Sequence, residues 1–109
     1  MSWVVVVAPI KEGARETARL LVEGGPPFDP ETTSLVRHHV YLTEKEVVFA
    51  FEGPDAKAAV ERLVGDPGVW RAATAWRECL AGRPRLAEQA FAWVRSDGAG
   101  SVERRAGGD

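Results

Sequence analysis

Apolar and polar residues alternate most regularly at positions 35–51, in two runs rich in β-branched and aromatic side chains. The runs are joined by a polar stretch at 43–46, and their alternation predicts a β-hairpin. A turn of two or four residues would place Leu42 opposite Val47, whereas a three-residue loop would reverse the faces of the second strand. We prefer the pairing of Leu42 with Val47, because it gathers the apolar residues on one face.

In this register the hairpin has one apolar face and one face of mixed character. The apolar face carries Val36, His38, Val40, Leu42, Val47, Phe49 and Phe51. The other face, called the mixed face below, carries Arg37, His39, Tyr41, Val48, Ala50 and Glu52. The apolar face should pack on a core, and the other face is too mixed in character to be simply solvated.

Periodicity and capping residues predict the remaining elements. The continuous β-branched run at 3–8, closed by Pro9, is typical of a central strand. Apolar residues at helical spacing, with Gly, Pro and Asp near the ends, predict helices at 14–23, 54–64 and 67–80. Alternating aromatic residues predict a last strand at 89–94.

From residue 96 onward the chain is rich in Gly, Ser and Arg, and Val102 is its only sizeable apolar side chain. So little apolar area cannot offset the entropy of ordering a chain. We therefore expect one domain at residues 1–95 and a flexible C-terminal tail at 96–109.

The order of elements predicts the fold class. Two strand–helix–strand halves joined by a hairpin give a ferredoxin-like α+β fold, in which helices cover one face of a four-stranded antiparallel sheet. The opposite face, which includes the mixed face, is left open. A second copy packed sheet to sheet would cover it, so we expect a homodimer.

Composition narrows the class of partner. A net charge of −2 without clustered Lys or Arg argues against nucleic acid and anionic membranes. The apolar N-terminal run is too short to cross a membrane and lacks the layout of a signal peptide. Cys79 has no partner for an internal disulfide, and the adjacent His38 and His39 fit no zinc spacing. We expect a cytoplasmic protein with no metal and no cofactor.

Arg37, His39 and Tyr41 are the candidate catalytic and ligand-binding residues. Alternation brings a cation, a titrating base and a phenol to the same face of one strand. The alternative interpretation is ordinary sheet stabilisation, with an Arg37–Glu52 ion pair and a Tyr41–Val48 contact across the strands.

Trp70 completes the set of candidate ligand-binding residues. It stands about 90° or more from Trp76 around a single helix, so only one of them can lie centrally in the buried stripe. We interpret Trp76 and His38 as core residues and Cys79 as an inert thiol.

The chain resembles the dimeric α+β barrel superfamily, which includes antibiotic-biosynthesis monooxygenases, stress-responsive barrel proteins and haem-handling enzymes. The resemblance covers roughly residues 3–95. It rests on the order of strands and helices, the turn at 9–13, the extra helix at 67–80 with Trp70 and Trp76, and the aromatic stretch at 91–93. It implies a cavity between subunits or within each half of the barrel.

Two classes of function follow as hypotheses. The first is a homodimeric barrel protein that binds an apolar or aromatic small molecule. The second is a cofactor-free monooxygenase or isomerase in which His39 acts as base and Arg37 steadies an oxyanion. Haem handling is a third and weaker hypothesis, because His38 and His39 are the only candidate iron ligands in the sequence.

Overall fold

The computed structural model describes residues 1–96 and 99–104. The strands are β1 (Ser2–Pro9), β2 (Arg37–Leu42), β3 (Glu46–Gly53), β4 (Arg85–Glu88), β5 (Phe91–Ser96) and β6 (Ala99–Arg104). The α-helices are α1 (Arg15–Glu23), α2 (Ala56–Val64), α3 (Pro67–Ala72) and α4 (Thr74–Cys79). The main sheet has the strand order β2-β3-β1-β4 with antiparallel neighbours, which confirms the ferredoxin-like α+β fold.

β1 is a central strand, as its continuous β-branched run predicts. It pairs with β3 on one side and β4 on the other. Val4, Val6 and Ala8 point towards the helices and are at most 6% exposed. Val5 and Val7 alternate with them, point to the open face of the sheet and are only half-buried.

The hairpin has the predicted register, with Leu42 opposite Val47. Thr43 closes the turn, because its amide donates to the Glu46 carbonyl at 2.8 Å and its hydroxyl accepts the Glu46 amide at 2.9 Å. Val47 packs in one core cluster with Ala18 of α1, so the apolar face of the hairpin lies under the helices. The mixed face therefore belongs to the open side of the sheet.

The single helix predicted at 67–80 is wrong, because α3 and α4 meet at a bend. Ala73 at the junction has a φ of −94° and a ψ of 20°, and the Thr74 hydroxyl donates to the Arg71 carbonyl at 2.7 Å. A threonine side chain that bonds a carbonyl of the preceding turn bends a helix readily. The bend buries Ala73 and Trp76 and leaves Trp70 half-buried.

The strand predicted at 89–94 is confirmed at 91–94, which belong to β5, but its expected place as the fourth strand of the main sheet is wrong. The fourth strand of the main sheet is β4, which pairs with β1 through Val6 and Leu86. β4 is four residues long and exposed throughout, as short edge strands commonly are, so it lacks the alternation that marks a half-buried strand. The aromatic stretch forms β5 instead, in a separate two-stranded sheet with β6.

β6 lies within the expected C-terminal tail. Its backbone pairs with β5 from Phe91 opposite Arg104 to Ser96 opposite Ala99. Ala99–Arg104 thus has strand backbone, while residues 97–98 and 105–109 lie outside the described residues. The division into a domain at 1–95 and a tail stays a prediction.

Candidate functional site

A cavity of about 260 Å³ lies between the main sheet and the helices. Side chains from β1, β2, β3 and all four helices contribute to its walls. The volume is slightly below the roughly 300–1,000 Å³ usual for small-molecule pockets. Gly25, Pro26 and Val64 are the exposed residues of the lining, so the cavity opens between the loop after α1 and the end of α2.

The lining is apolar with one exception. Among the described residues that line the cavity, His38 carries the only titratable side chain. Its imidazole stacks on Phe51 with ring centroids 4.5 Å apart and an interplanar angle of 12°. Phe49 lies parallel to it at 6.4 Å, and Phe28 is tilted against it at 5.8 Å. The cavity thus has a wall of flat rings into which one imidazole is built.

A hydrogen bond to the backbone fixes the form of this imidazole. His38 Nδ1 lies 3.2 Å from the Ala50 carbonyl oxygen. A carbonyl can only accept, so Nδ1 carries the proton and Nε2 of the neutral ring carries a lone pair. Burial lowers the pKa of His38; the bond to Ala50 opposes that effect, and the charge of His39 adds to it. The neutral ring is therefore the form present at neutral pH.

Both tryptophans of α3 and α4 reach the cavity. Trp76 is 8% exposed and meets Phe49 edge to face at 5.3 Å, so it forms part of the floor. Trp70 is half-buried, and its indole nitrogen donates to the carbonyl of Val64 at the cavity mouth. The bend at Ala73 allows this arrangement, because a straight helix would separate the two indoles around its axis.

The mixed face holds the other candidate residues, on the opposite side of the sheet from the cavity. Arg37 Nε lies 3.6 Å from Glu52 Oε1, which is the cross-strand ion pair that the register predicts. The Tyr41 hydroxyl lies 3.4 Å from His39 Nδ1, and the His39 ring lies 5.8 Å from that of Trp3. Arg37, His39 and Tyr41 are thus neighbours on one surface, but none of them lines the cavity.

The structure thereby separates two candidate sites. Trp70 lies at the cavity, whereas Arg37, His39 and Tyr41 lie on the mixed face, and a ligand role for each stays a prediction. His38 was interpreted as a core residue, and the structure adds that it lines the cavity. Its position opposite Phe51 on the apolar face followed from the predicted register, but the empty space beside it did not.

Other groups offer little chemistry. Cys79 is 4% exposed and lies 3.7 Å from the Ala14 carbonyl, and burial raises the pKa of its thiol. Within residues 1–96 and 99–104, no group of three or more His, Cys, Asp or Glu side chains is arranged to hold a metal ion. No helix of the same described part is long and apolar enough to cross a membrane.

Fold and site together define a ferredoxin-like α+β protein with an apolar cavity under its helices. Among solved structures, the fold is similar to one described as an antibiotic biosynthesis monooxygenase, with a TM-score of 0.56 and 18% sequence identity. The match covers 82% of this chain and 96% of that chain, and at this identity it establishes the fold alone. No protein-family model matches the chain, and no curated protein does so either.

Proposed function

We propose that this protein is a cytoplasmic homodimer that binds one apolar or aromatic small molecule per chain in the cavity between the sheet and the helices. The observation that carries the proposal is the cavity, which is lined by apolar side chains from seven elements of the fold. Core packing normally leaves few voids larger than a water molecule. An apolar space of about 260 Å³ is therefore suited to a ligand.

Filling the cavity tests this proposal. Val69 lines the cavity, and Val69→Trp would occupy part of the volume that a ligand needs. Val36 is 54% exposed and does not line the cavity, so Val36→Trp adds the same side chain elsewhere. We expect equilibrium dialysis to show that the wild type and Val36→Trp each bind one naphthalene per chain. The affinity of Val69→Trp for naphthalene should be at least tenfold lower.

Two results would contradict ligand binding in the cavity. One is a wild type that takes up no naphthalene. The other is a folded Val69→Trp variant, checked by circular dichroism, that binds naphthalene as tightly as the wild type does. Native mass spectrometry of the protein as purified would add the mass of any ligand retained from the host.

The homodimer is supported by the open side of the sheet. Trp3, Val5, Val7 and Val48 are half-buried there, and Tyr41 is 55% exposed. In a monomer these side chains would leave an apolar surface exposed to solvent, and such a surface is typical of an interaction site. A second copy placed across the sheet would remove it from water.

A cofactor-free monooxygenase or isomerase is the second candidate function. It is favoured by the likeness in fold to the antibiotic biosynthesis monooxygenase. In that hypothesis His39 is the base and Arg37 steadies the developing negative charge, so chemistry takes place on the mixed face. His39→Ala and Arg37→Ala would then abolish turnover of a substrate, whereas Val69→Trp would leave turnover intact.

A further inference from the structure

We propose that the cavity selects a neutral apolar ligand with a hydroxyl group, and that this hydroxyl donates a hydrogen bond to Nε2 of His38. The inference rests on the proposed function, because it assigns the chemical class of the ligand that the same cavity takes. It treats His38 as the residue that determines specificity.

The first step is that Nε2 has no hydrogen-bond partner among the described residues. The ring's one hydrogen bond in the described residues joins Nδ1 to the Ala50 carbonyl. No side-chain nitrogen or oxygen of the described residues is both fully sealed from solvent and unpaired, so Nε2 is accessible. His38 lines the cavity, and we infer that a bound molecule reaches Nε2 from there.

The second step is the chemistry that Nε2 presents. With its proton on Nδ1, the neutral imidazole offers a lone pair at Nε2 and no donor there. A ligand that fills the cavity with hydrocarbon alone would displace water from Nε2 and leave it unsatisfied, which costs binding energy. A ligand hydroxyl would replace the displaced water's hydrogen bond.

The third step is the exclusion of charge. From each element that surrounds the cavity, the described lining residues supply no Lys, Arg, Asp or Glu. A carboxylate or phosphate would lose its hydration and gain no cation in return. His39 influences His38 electrostatically, but it lies on the mixed face, across the sheet. The cavity therefore disfavours anionic ligands while His38 is neutral.

Three probes of similar shape test the inference: naphthalene, 2-naphthol and 2-naphthoate. At pH 8 we expect wild-type protein to bind 2-naphthol about tenfold more tightly than naphthalene, as one well-formed hydrogen bond allows. Binding of 2-naphthoate should be weaker than that of naphthalene. These comparisons need no variant, so they do not depend on whether a substituted chain folds.

A matched pair of variants assigns the effect to His38. His38→Phe keeps a flat ring in the aromatic wall but removes the acceptor, and Val36→Phe adds the same ring at an exposed residue outside the cavity lining. We expect His38→Phe to retain naphthalene and to bind 2-naphthol no better than naphthalene. Val36→Phe should keep the wild-type preference for 2-naphthol.

The outcomes separate the two proposals. Wild-type protein that binds naphthalene and 2-naphthol equally, or prefers 2-naphthoate, overturns the inference and leaves the ligand cavity standing. A preference for 2-naphthol that survives in His38→Phe also overturns it. Wild-type protein that binds none of the probes overturns the proposed function itself, and the inference falls with it.

Discussion

His38 and His39 are consecutive residues of β2, yet they lie on opposite sides of the main sheet. His38 stacks on Phe51 at 4.5 Å beside the cavity, and His39 meets Trp3 at 5.8 Å on the open face. Successive side chains of a strand point to opposite faces, so one residue of sequence separation gives two unrelated environments. A substitution of His38 therefore alters the cavity wall, whereas a substitution of His39 alters the open face of the sheet.

Acid should destabilise the fold through His38. Burial lowers the pKa of His38 below the usual value of 6.5, so the unfolded chain binds a proton more readily than the folded chain does. The contribution of the neutral His38 to the free energy of unfolding is fully present above pH 6.5. It is lost as the pH falls from 6.5 through the lower pKa of the folded state. Urea unfolding from pH 8 to pH 5 should show a smaller loss in His38→Phe than in the wild type.

Val36→Phe is the control for this pH dependence, because it adds the same side chain at a residue that is 54% exposed and does not titrate. Its unfolding curves should follow those of the wild type across the same range. If wild type and His38→Phe lose stability in parallel, another group is responsible for the effect of acid.

A charge on the open face should separate the proposed dimer. Val48 lies in the middle of β3 on that face, opposite Val7 of β1 and Tyr41 of β2. Val48→Asp would place a carboxylate where the second sheet packs, and burying an unpaired charge is costly. We expect sedimentation velocity at micromolar concentration to show a dimer for the wild type and a monomer, or unfolded chain, for the variant.

Val36→Asp is the matched control, since Val36 is 54% exposed and precedes β2 on its apolar side. It should sediment as the wild type does. A wild type that is monomeric under these conditions would remove the dimer from the proposed function.

Removing the chain after Ser96 should have little effect on stability. β6 pairs with β5 in a two-stranded sheet apart from the main sheet, and an isolated hairpin is marginally stable at best. We expect the melting temperature of the truncated protein to lie within a few degrees of that of the full chain. A larger drop, or loss of the dimer, would show that the C-terminal segment docks on the domain or on a partner.

Cys79 should be unreactive in the native protein. Its side chain is buried in a core cluster with Ile10 and Trp76, and burial raises the pKa of the thiol. The thiolate is the reactive form, and here it is both scarce and inaccessible. Ellman's reagent should label the thiol about a hundredfold faster in denaturant than in native buffer; comparable rates in the two would place Cys79 at the surface.

The sequence alone determined the class of fold and the register of the hairpin. The continuous β-branched run at 3–8 is typical of a central strand, and it forms one. Pairing Leu42 with Val47 puts the apolar residues of the hairpin on one face, and this is the observed register. Both features follow from the spacing of apolar residues along the chain, and this spacing can be read from a short stretch of sequence. The Arg37–Glu52 ion pair followed from that register.

Tertiary structure decided the features that depend on neighbours distant in sequence. β4 has no apolar alternation of its own and becomes a strand because β1 offers it an edge, while the more strand-like 89–94 region pairs elsewhere. The bend at Ala73 places Trp70 and Trp76 together at one cavity. That cavity is a gap left between packed elements, which no single stretch of sequence encodes. For this reason the sequence could place His38 on the apolar face, but only the packed fold shows that space for a ligand lies beside it.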